Sequence, residues 1–503
     1  MERYKIVAAV LLLSASFCQA QTPQERYAAF RKQAQQQYDG FRNRANQQYA
    51  DFIRKAWQSY HVNAPIPVPY EEPTPPVVIP EEERLKKRKD EAKPFEDIVV
   101  IEPPKPQPLP IEPIKPVEPV KPIEPVEPIS PKQEHIMTTF YGTEIQCTIP
   151  LWPQYELTGL NEDNIADAWE QLSNGQCDSL LAQCLELRSR HRLCDWGYIL
   201  LLDSISKNIA KHSTTANDSK TTLLMAWLYC QSGYMMRLAR TEKRLYLLYA
   251  SEGIIYDTYG ILMDDNLFYA YSGEDLETLY LCNFTFPNER AMTLQLKVEP
   301  LLANRASSPR TLQSKRYPDI RIETNVNRNL IDFYNDYPTG TIDNDFGTRW
   351  AIYANTPLSD EARRTLYPQL RQRLDGKNKL QATEELLNFV QTSLVYAYDD
   401  SVWGDDRAFF AEESLFYPYS DCEDHSILFS RLVRDLLGLR VVLLYYPGHL
   451  ATAVRFENEQ PKGDYLQLND GRYYIADPTY IGAPIGESMP SLRNEKIKVI
   501  VLH

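Results

Sequence analysis

The 503-residue sequence predicts an α+β protein in which helices pack on antiparallel sheet, preceded by a proline-rich rod and an N-terminal helix. Three observations carry that prediction. Two apolar helical patterns, "TTLLMAWLYCQSG" and "SILFSRLVRDLLG", each run through a terminal glycine into an aromatic-rich strand, "RLYLLY" and "VVLLYY". Short strand patterns follow each pair, including the hairpin "YLQLNDGRYYIADPTY" with Asn469, Asp470 and Gly471 at its turn. Proline crowds the stretch from Asn63 to about Lys132.

From the start of the chain, "MERYKIVAAVLLLSASFCQA" has a basic opening, an apolar run too short for an ordinary membrane span, and a small residue at Ala20. This predicts a secretory signal over residues 1–20 and an exported, periplasmic or envelope-associated protein. A lipid-modified Cys18 is the alternative, disfavoured by the bulky Phe17 before it. The net charge of −14 gives no electrostatic case for a nucleic-acid partner. Export favours disulfides, and without Cys18 seven cysteines remain. Six fall between Cys147 and Cys282, so Cys422, alone downstream, is the expected unpaired thiol.

Residues 21–60 repeat every eleven positions: Tyr27, Tyr38, Tyr49 and Tyr60, with Phe30, Phe41, Phe52 and Ala34, Ala45, Ala56 in phase. Eleven residues make three helical turns, so these side chains form one stripe on a long helix. The stripe serves self-association or an envelope partner, or packs on the protein's own domains. Residues 61–134 read as a linker whose section "PIEPIKPVEPVKPIEPVEPISP" suits polyproline II, a solvated spacer reaching roughly 65 Å. An α+β domain over 135–290, a β-rich bridge over 291–356 and a final domain over 357–503 complete the division.

The final domain holds the chemistry. In "YPYSDCEDHSILFSRLV", Ser420 and Asp421 are helix-capping types, which places Cys422 in the first turn, where backbone N–H groups favour a thiolate. Downstream, His449 leads a strand after the Pro447-Gly448 turn, and Asp477 closes a strand before Pro478. A cysteine, a histidine and an aspartate so placed make a candidate nucleophile, base and orienting group. Two other readings compete: a buried thiol, and a metal pair of Cys422 with His425, which supplies only two of the four ligands of structural zinc. No cofactor is expected, although Asp399, Asp400, Asp405 and Asp406 in "YDDSVWGDD" are oxygen-rich enough for calcium if the loop is not merely solvated.

The order Cys422, His449, Asp477, with the pre-helix "NFVQTSLVYAYDD" and the closing "ADPTY", resembles the transglutaminase-like cysteine peptidase superfamily over about the last third of the chain. The resemblance implies a papain-related fold. It also implies attack of Cys422 on an amide carbonyl of a protein or peptide, with His449 as base and Asp477 fixing its tautomer. The chain departs from the family in having Tyr419, Ser420 and Asp421 where a small residue often precedes the cysteine, and Ala451 where an aromatic often follows the histidine. The natural oxyanion donor is the Cys422 N–H, with Trp403 and Tyr419 as further candidates.

A plain meander of 449–456, 465–468 and 472–477 would leave His449 and Asp477 at opposite ends of the sheet. The triad therefore requires the loop "ENEQPKGD" to carry 465–468 onward in the direction of the first strand, so that the last strand returns past His449. Aligning Gly233 with Gly438 sets Asn217 at the Cys422 position, with no histidine after the next strand. This predicts that 135–290 is a degenerate copy of the final domain. Two functions follow: an exported thiol hydrolase or acyltransferase on amide bonds, or a non-catalytic scaffold of the cell envelope that keeps the fold.

Overall fold

The computed structural model describes residues 23–80, 94–105, 134–149, 155–211, 218–273, 276–404, 406–492 and 495–503. The expected signal over 1–20, Cys18, the polyproline run over 110–131, Asn217 and Asp405 lie outside the described residues. Among the described residues no helix is long and apolar enough to cross a membrane.

Helix α1 (Pro23–Ile53) carries the eleven-residue stripe. Toward its C-terminal end two stripe residues, Ala45 and Tyr49, are buried with Ala50 and Ile53 beside them, while Phe41 is exposed; Tyr49 lies edge-on to Trp169 at 4.6 Å and to Phe286 at 4.8 Å. The helix ends earlier than the expected residue 60. Tyr60 sits instead in strand β1 (Trp57–His61), all five residues of which pair antiparallel with Thr278–Cys282. The open edge at Thr278–Cys282 satisfies their backbone groups as fully as a continued helix would, and this tertiary pairing overrides the helical repeat.

The linker is not a solvated spacer throughout. It contributes β2 (Val77–Val78), β3 (Pro94–Phe95) and β4 (Ile98–Ile101) to the final domain. The first domain opens with the hairpin β5 (Glu134–Phe140) and β6 (Thr143–Ile149). Helices α2 (Glu162–Leu172), α3 (Asp178–Arg190), α4 (Asp195–Lys211) and α5 (Asp218–Gln231) follow, then strands β7 (Met236–Arg240), β8 (Leu245–Ser251), β9 (Gly260–Met263), β10 (Asn266–Ala270) and β11 (Thr278–Cys282). Helix α5 is buried on nearly every side, as its continuous apolar run requires.

The bridge is more helical than expected. It holds the hairpin β12 (Arg310–Gln313) and β13 (Arg321–Thr324), then α6 (Arg328–Asn335) and α7 (Arg349–Asn355). Asn327 caps α6 by accepting the Asn329 N–H, and Leu330, Ile331, Phe333 and Tyr334 give it a buried face at helical spacing.

The final domain runs through α8 (Asp360–Leu374), α9 (Lys379–Ser393), β14 (Val395–Tyr396), α10 (Asp399–Val402), α11 (Ala411–Phe416), β15 (Tyr419–Ser420) and α12 (Cys422–Leu437). Strands β16 (Arg440–Tyr446), β17 (His449–Arg455), β18 (Tyr465–Leu468), β19 (Gly471–Ala476), β20 (Tyr480–Ile481) and β21 (Ile497–Val501) close it. Gly438, at φ +66°, adopts the left-handed conformation that ends α12.

The two main sheets share the order of five strands; beyond these, β1 pairs antiparallel with β11 whereas β4 pairs parallel with β21, and β3 has no counterpart. The first reads β1-β11-β7-β8-β10-β9; the second, from its other edge, β4-β21-β16-β17-β19-β18-β3. In each, a buried helix feeds an antiparallel hairpin, and the later strand of the next pair lies beside that hairpin; "RLYLLY" is the second strand of its hairpin and "VVLLYY" the first, so the strand after the first helix is β7 and the sequence alignment of those two segments does not hold. The registers also correspond, since Leu248 faces Ala270 as Thr452 faces Ala476. The architecture is thus mixed α+β, and one apolar core runs through both domains.

The expected disulfides are absent among the described residues. All seven described cysteines are free thiols, and all but Cys194 are buried. They sit in apolar packing, where a cysteine behaves as a small hydrophobic residue, and burial pushes the Cys147 thiol up to about 11 and that of Cys177 to about 12. Parity therefore does not single out Cys422.

Candidate thiol site

Asp421 is the N-cap of α12: its side chain accepts the Glu423 N–H at 3.1 Å, while Asp424 Oδ2 accepts the Asp421 N–H at 3.2 Å. Asp424 Oδ1 also accepts the Phe409 N–H at 2.9 Å, fixing the preceding loop against the helix start. Cys422 therefore stands in the first turn, as its position after the acidic cap predicts. Four residues on, Ser426 Oγ donates to the Leu450 carbonyl at 2.9 Å and ties the helix to β17 beside His449.

The strand pairing required by the triad is present. Strand β19 lies between β17 and β18 and is antiparallel to both, so β18 runs in the direction of β17. Thr452 faces Ala476, and the next residue, Asp477, comes level with the His449 end of β17. His449 Nε2 and Asp477 Oδ2 are 2.9 Å apart, with both side chains buried. Asp477 Oδ1 accepts three further bonds, from Thr479 N at 2.9 Å, Thr479 Oγ1 at 3.1 Å and Tyr480 N at 3.1 Å. Burial by itself would raise the Asp477 pKa; the His449 ring and the Thr479 donors outweigh it and hold the carboxyl below its usual value. An ionised carboxylate only accepts, so the His449 proton is on Nε2. His449 Nδ1 is buried and makes no hydrogen bond.

Cys422 and His449 line the same cavity, together with Arg349, Asp421, Glu423 and Leu450. The thiol's surroundings reverse what the helix start alone predicts. Burial, and after it the Asp421 and Glu423 carboxylates, push its pKa up; the Leu450 backbone N–H acts the other way. Cys422 is therefore a neutral thiol in this arrangement.

His425 has no part in that constellation. Its ring lies edge-on to Tyr396 at 6.1 Å, its Nδ1 is 3.5 Å from the Pro478 carbonyl, and burial lowers its pKa to about 4. Nor do Trp403 and Tyr419 reach the cavity. Trp403 packs on Phe409 and Tyr417, while Tyr419 is exposed in β15. Of the three donors considered from the sequence, the Cys422 N–H alone belongs to a residue lining the cavity.

The acidic loop divides. Asp400 is exposed at the rim of the cavity, where the Tyr70 hydroxyl bonds it; Asp406 pairs with Arg349 at 2.7 Å, and Asp399 turns inward, where its carboxylate lies within 4.8 Å of those of Asp421 and Glu423. Arg349, itself buried, holds Glu423 at 3.1 Å, and Trp350 Nε1 donates to the same carboxylate at 2.9 Å. Burial and mutual repulsion push Asp399 up to about 8 and Glu423 to about 7. Arg349 supplies a counter-charge from the protein itself to carboxylates that lie close enough together to share a cation.

Two further features were not read from the sequence. Gln391 on α9 donates through Nε2 to the carbonyls of Asp477 at 3.0 Å, Tyr480 at 2.9 Å and Ala483 at 3.2 Å, and accepts the Gly482 N–H at 3.2 Å. It pins the turn that presents Asp477; a glutamine on the buried face of "ELLNFVQTS" was the available signal. The second feature is the segment around Tyr70, four of whose residues line the thiol cavity. No protein-family model matches the chain, and no curated protein matches it.

Proposed function

We propose that the protein is a thiol hydrolase or acyltransferase acting on amide bonds of a protein or peptide, through Cys422, His449 and Asp477. The observation that carries this reading is the His449–Asp477 bond of 2.9 Å, which leaves a bare, buried Nδ1 on a histidine sharing a cavity with Cys422. His449 Nδ1 takes the thiol proton, and the imidazolium so formed is held by Asp477. The thiolate sulfur adds to the amide carbonyl carbon, and the oxyanion is met by the Cys422 N–H at the positive end of α12. Collapse breaks the C–N bond as His449 returns the proton to the leaving amine. Water or an amine then resolves the thioester with His449 again as base. Strand order, the helix-borne cysteine and the placement of His449 and Asp477 support the transglutaminase-like, papain-related fold that the motifs resemble.

The shared strand order supports a degenerate copy within residues 135–290. In the corresponding registers Leu245 stands for His449 and Tyr271 for Asp477, so that copy lacks both groups. A scaffold function is the second reading, favoured by the neutral, buried state of Cys422. Alkylation of Cys422 across pH, compared in the wild type and His449→Ala, separates the two. A Cys422 rate that falls in His449→Ala is the catalytic result; a rate that His449→Ala leaves unchanged leaves the scaffold.

A further inference from the structure

Residues 66–79 cross the thiol site as a strap anchored on both sides. Upstream, the Asp257 N–H donates to the Ile66 carbonyl at 2.9 Å. Downstream, Val77 and Val78 pair with Tyr480 and Ile481, and buried Ile79 donates its N–H to the Ile481 carbonyl at 2.8 Å. Between the anchors the strap engages the turn that precedes His449. Thr74 N donates to the Gly448 carbonyl at 2.7 Å, Gly448 N donates to Glu71 Oε2 at 2.6 Å, and Tyr445 donates its hydroxyl to Glu71 Oε1. The approach is so close that a Cβ on Gly448 would lie 2.1 Å from the Glu72 carbonyl oxygen.

With Pro69, Tyr70, Glu71 and Pro73 in its wall, the cavity beside Cys422 has a volume of about 70 Å³. That holds a few waters, against about 300 Å³ or more for a site that takes a drug-sized ligand. The strap's backbone thus contacts the chain next to His449 at one end and the turn after Asp477 at the other. Its proline-rich sequence keeps it extended.

We propose, on the reading of Cys422 as the nucleophile, that residues 67–76 plug the substrate groove, and that the ligand replacing them is an extended polypeptide bearing a carboxylate. Such a ligand meets the Gly448 carbonyl with a backbone N–H, and the Gly448 N–H and Tyr445 hydroxyl with its acidic side chain. Access to Cys422 then requires the strap to lift between its anchors.

The test measures iodoacetamide labelling of Cys422 in the full-length protein, resolved by site with mass spectrometry. Glu71→Ala/Thr74→Pro removes three of the strap's hydrogen bonds to the turn, so labelling should accelerate about tenfold or more. Buried Cys184 should stay unlabelled, reporting an intact fold. If it does not, Glu71→Gln, which leaves the backbone untouched, should still accelerate Cys422 by about fivefold. A synthetic peptide of residues 66–76 added to the loosened protein should restore protection, and the same peptide with Glu71→Gln should not. Unchanged Cys422 labelling in the folded variants overturns the plug. Adding His449→Ala separates the two ideas: faster labelling of the loosened protein that ignores His449 keeps the plug and removes the triad, and the reverse pattern does the opposite.

Discussion

Replacing Asp477 by asparagine tests the orienting role through the geometry of one carboxylate. Oδ1 is surrounded by three donors, Thr479 N, Thr479 Oγ1 and Tyr480 N, and Oδ2 faces His449 Nε2. The amide must keep its oxygen toward the three donors, because turning its NH₂ there would set donor against donor three times. Its NH₂ is then forced toward His449 Nε2, which must give up its proton, and the ring shifts to the Nδ1–H tautomer. The wild-type bond to a charged acceptor contributes about 1.5–3 kcal/mol, so the tautomer ratio should move by about tenfold to a hundredfold. Selective ¹⁵N labelling of histidine, with the His449 signal assigned by a His449→Gln control, reads the tautomer directly and needs no substrate. An Nδ1 already protonated cannot take the thiol proton, and the accompanying loss of amide-bond turnover should be about 10⁴-fold. A wild-type ring protonated on Nδ1, or an Asp477→Asn ring still protonated on Nε2, would refute the reasoning.

Other outcomes follow from the same structure. Gln391→Leu strands three carbonyls and one N–H in a buried turn and should cost about 3 kcal/mol in urea unfolding, with the Asp477 loop losing amide-exchange protection first. Burial raises Glu412 and Glu413 to about 7 each, against about 4.3 in an unfolded chain, so the native state holds protons the unfolded state has shed. Stability should therefore fall as pH rises from about 4.3 through 7, and Glu412→Gln should flatten that slope; a stability that rises over this window would contradict it. Tyr49→Ala removes an aromatic ring packed on Trp169 and Phe286 and should lower stability by about 3 kcal/mol in the same urea assay, with α1 exchanging faster.

The parts legible in the sequence were those whose signal is local or sits at a chain punctuation mark. The cap at Asp421, the stop at Gly438 and the turn at Asn469–Gly471 located the helix and strands, and bringing Asp477 to His449 then required the β17–β19 pairing in place of a plain meander. What escaped depends on partners far along the chain. Tyr60 continues a helical repeat, yet the open edge at Thr278–Cys282 draws it into a sheet. Asp421 and Glu423 look like ordinary first-turn acids. Only the fold buries Cys422 itself, the main reason the thiol stays neutral, and sets their carboxylates beside it to add to the effect. The cysteines were misread because export was weighed ahead of their apolar neighbours.

Both edges of the seven-stranded sheet are filled by Pro94–Phe95 and Ile98–Ile101, which the ribosome delivers long before the strands they border. The domain that begins near residue 357 therefore cannot be excised at its apparent boundary. A fragment starting there would present β18 and β21 as bare templates for other chains, and should form aggregates on expression where a fragment retaining residues 94–101 stays monodisperse. Dissecting this protein into working pieces means keeping the early segment with the late domain, for example by fusing the two through a new linker.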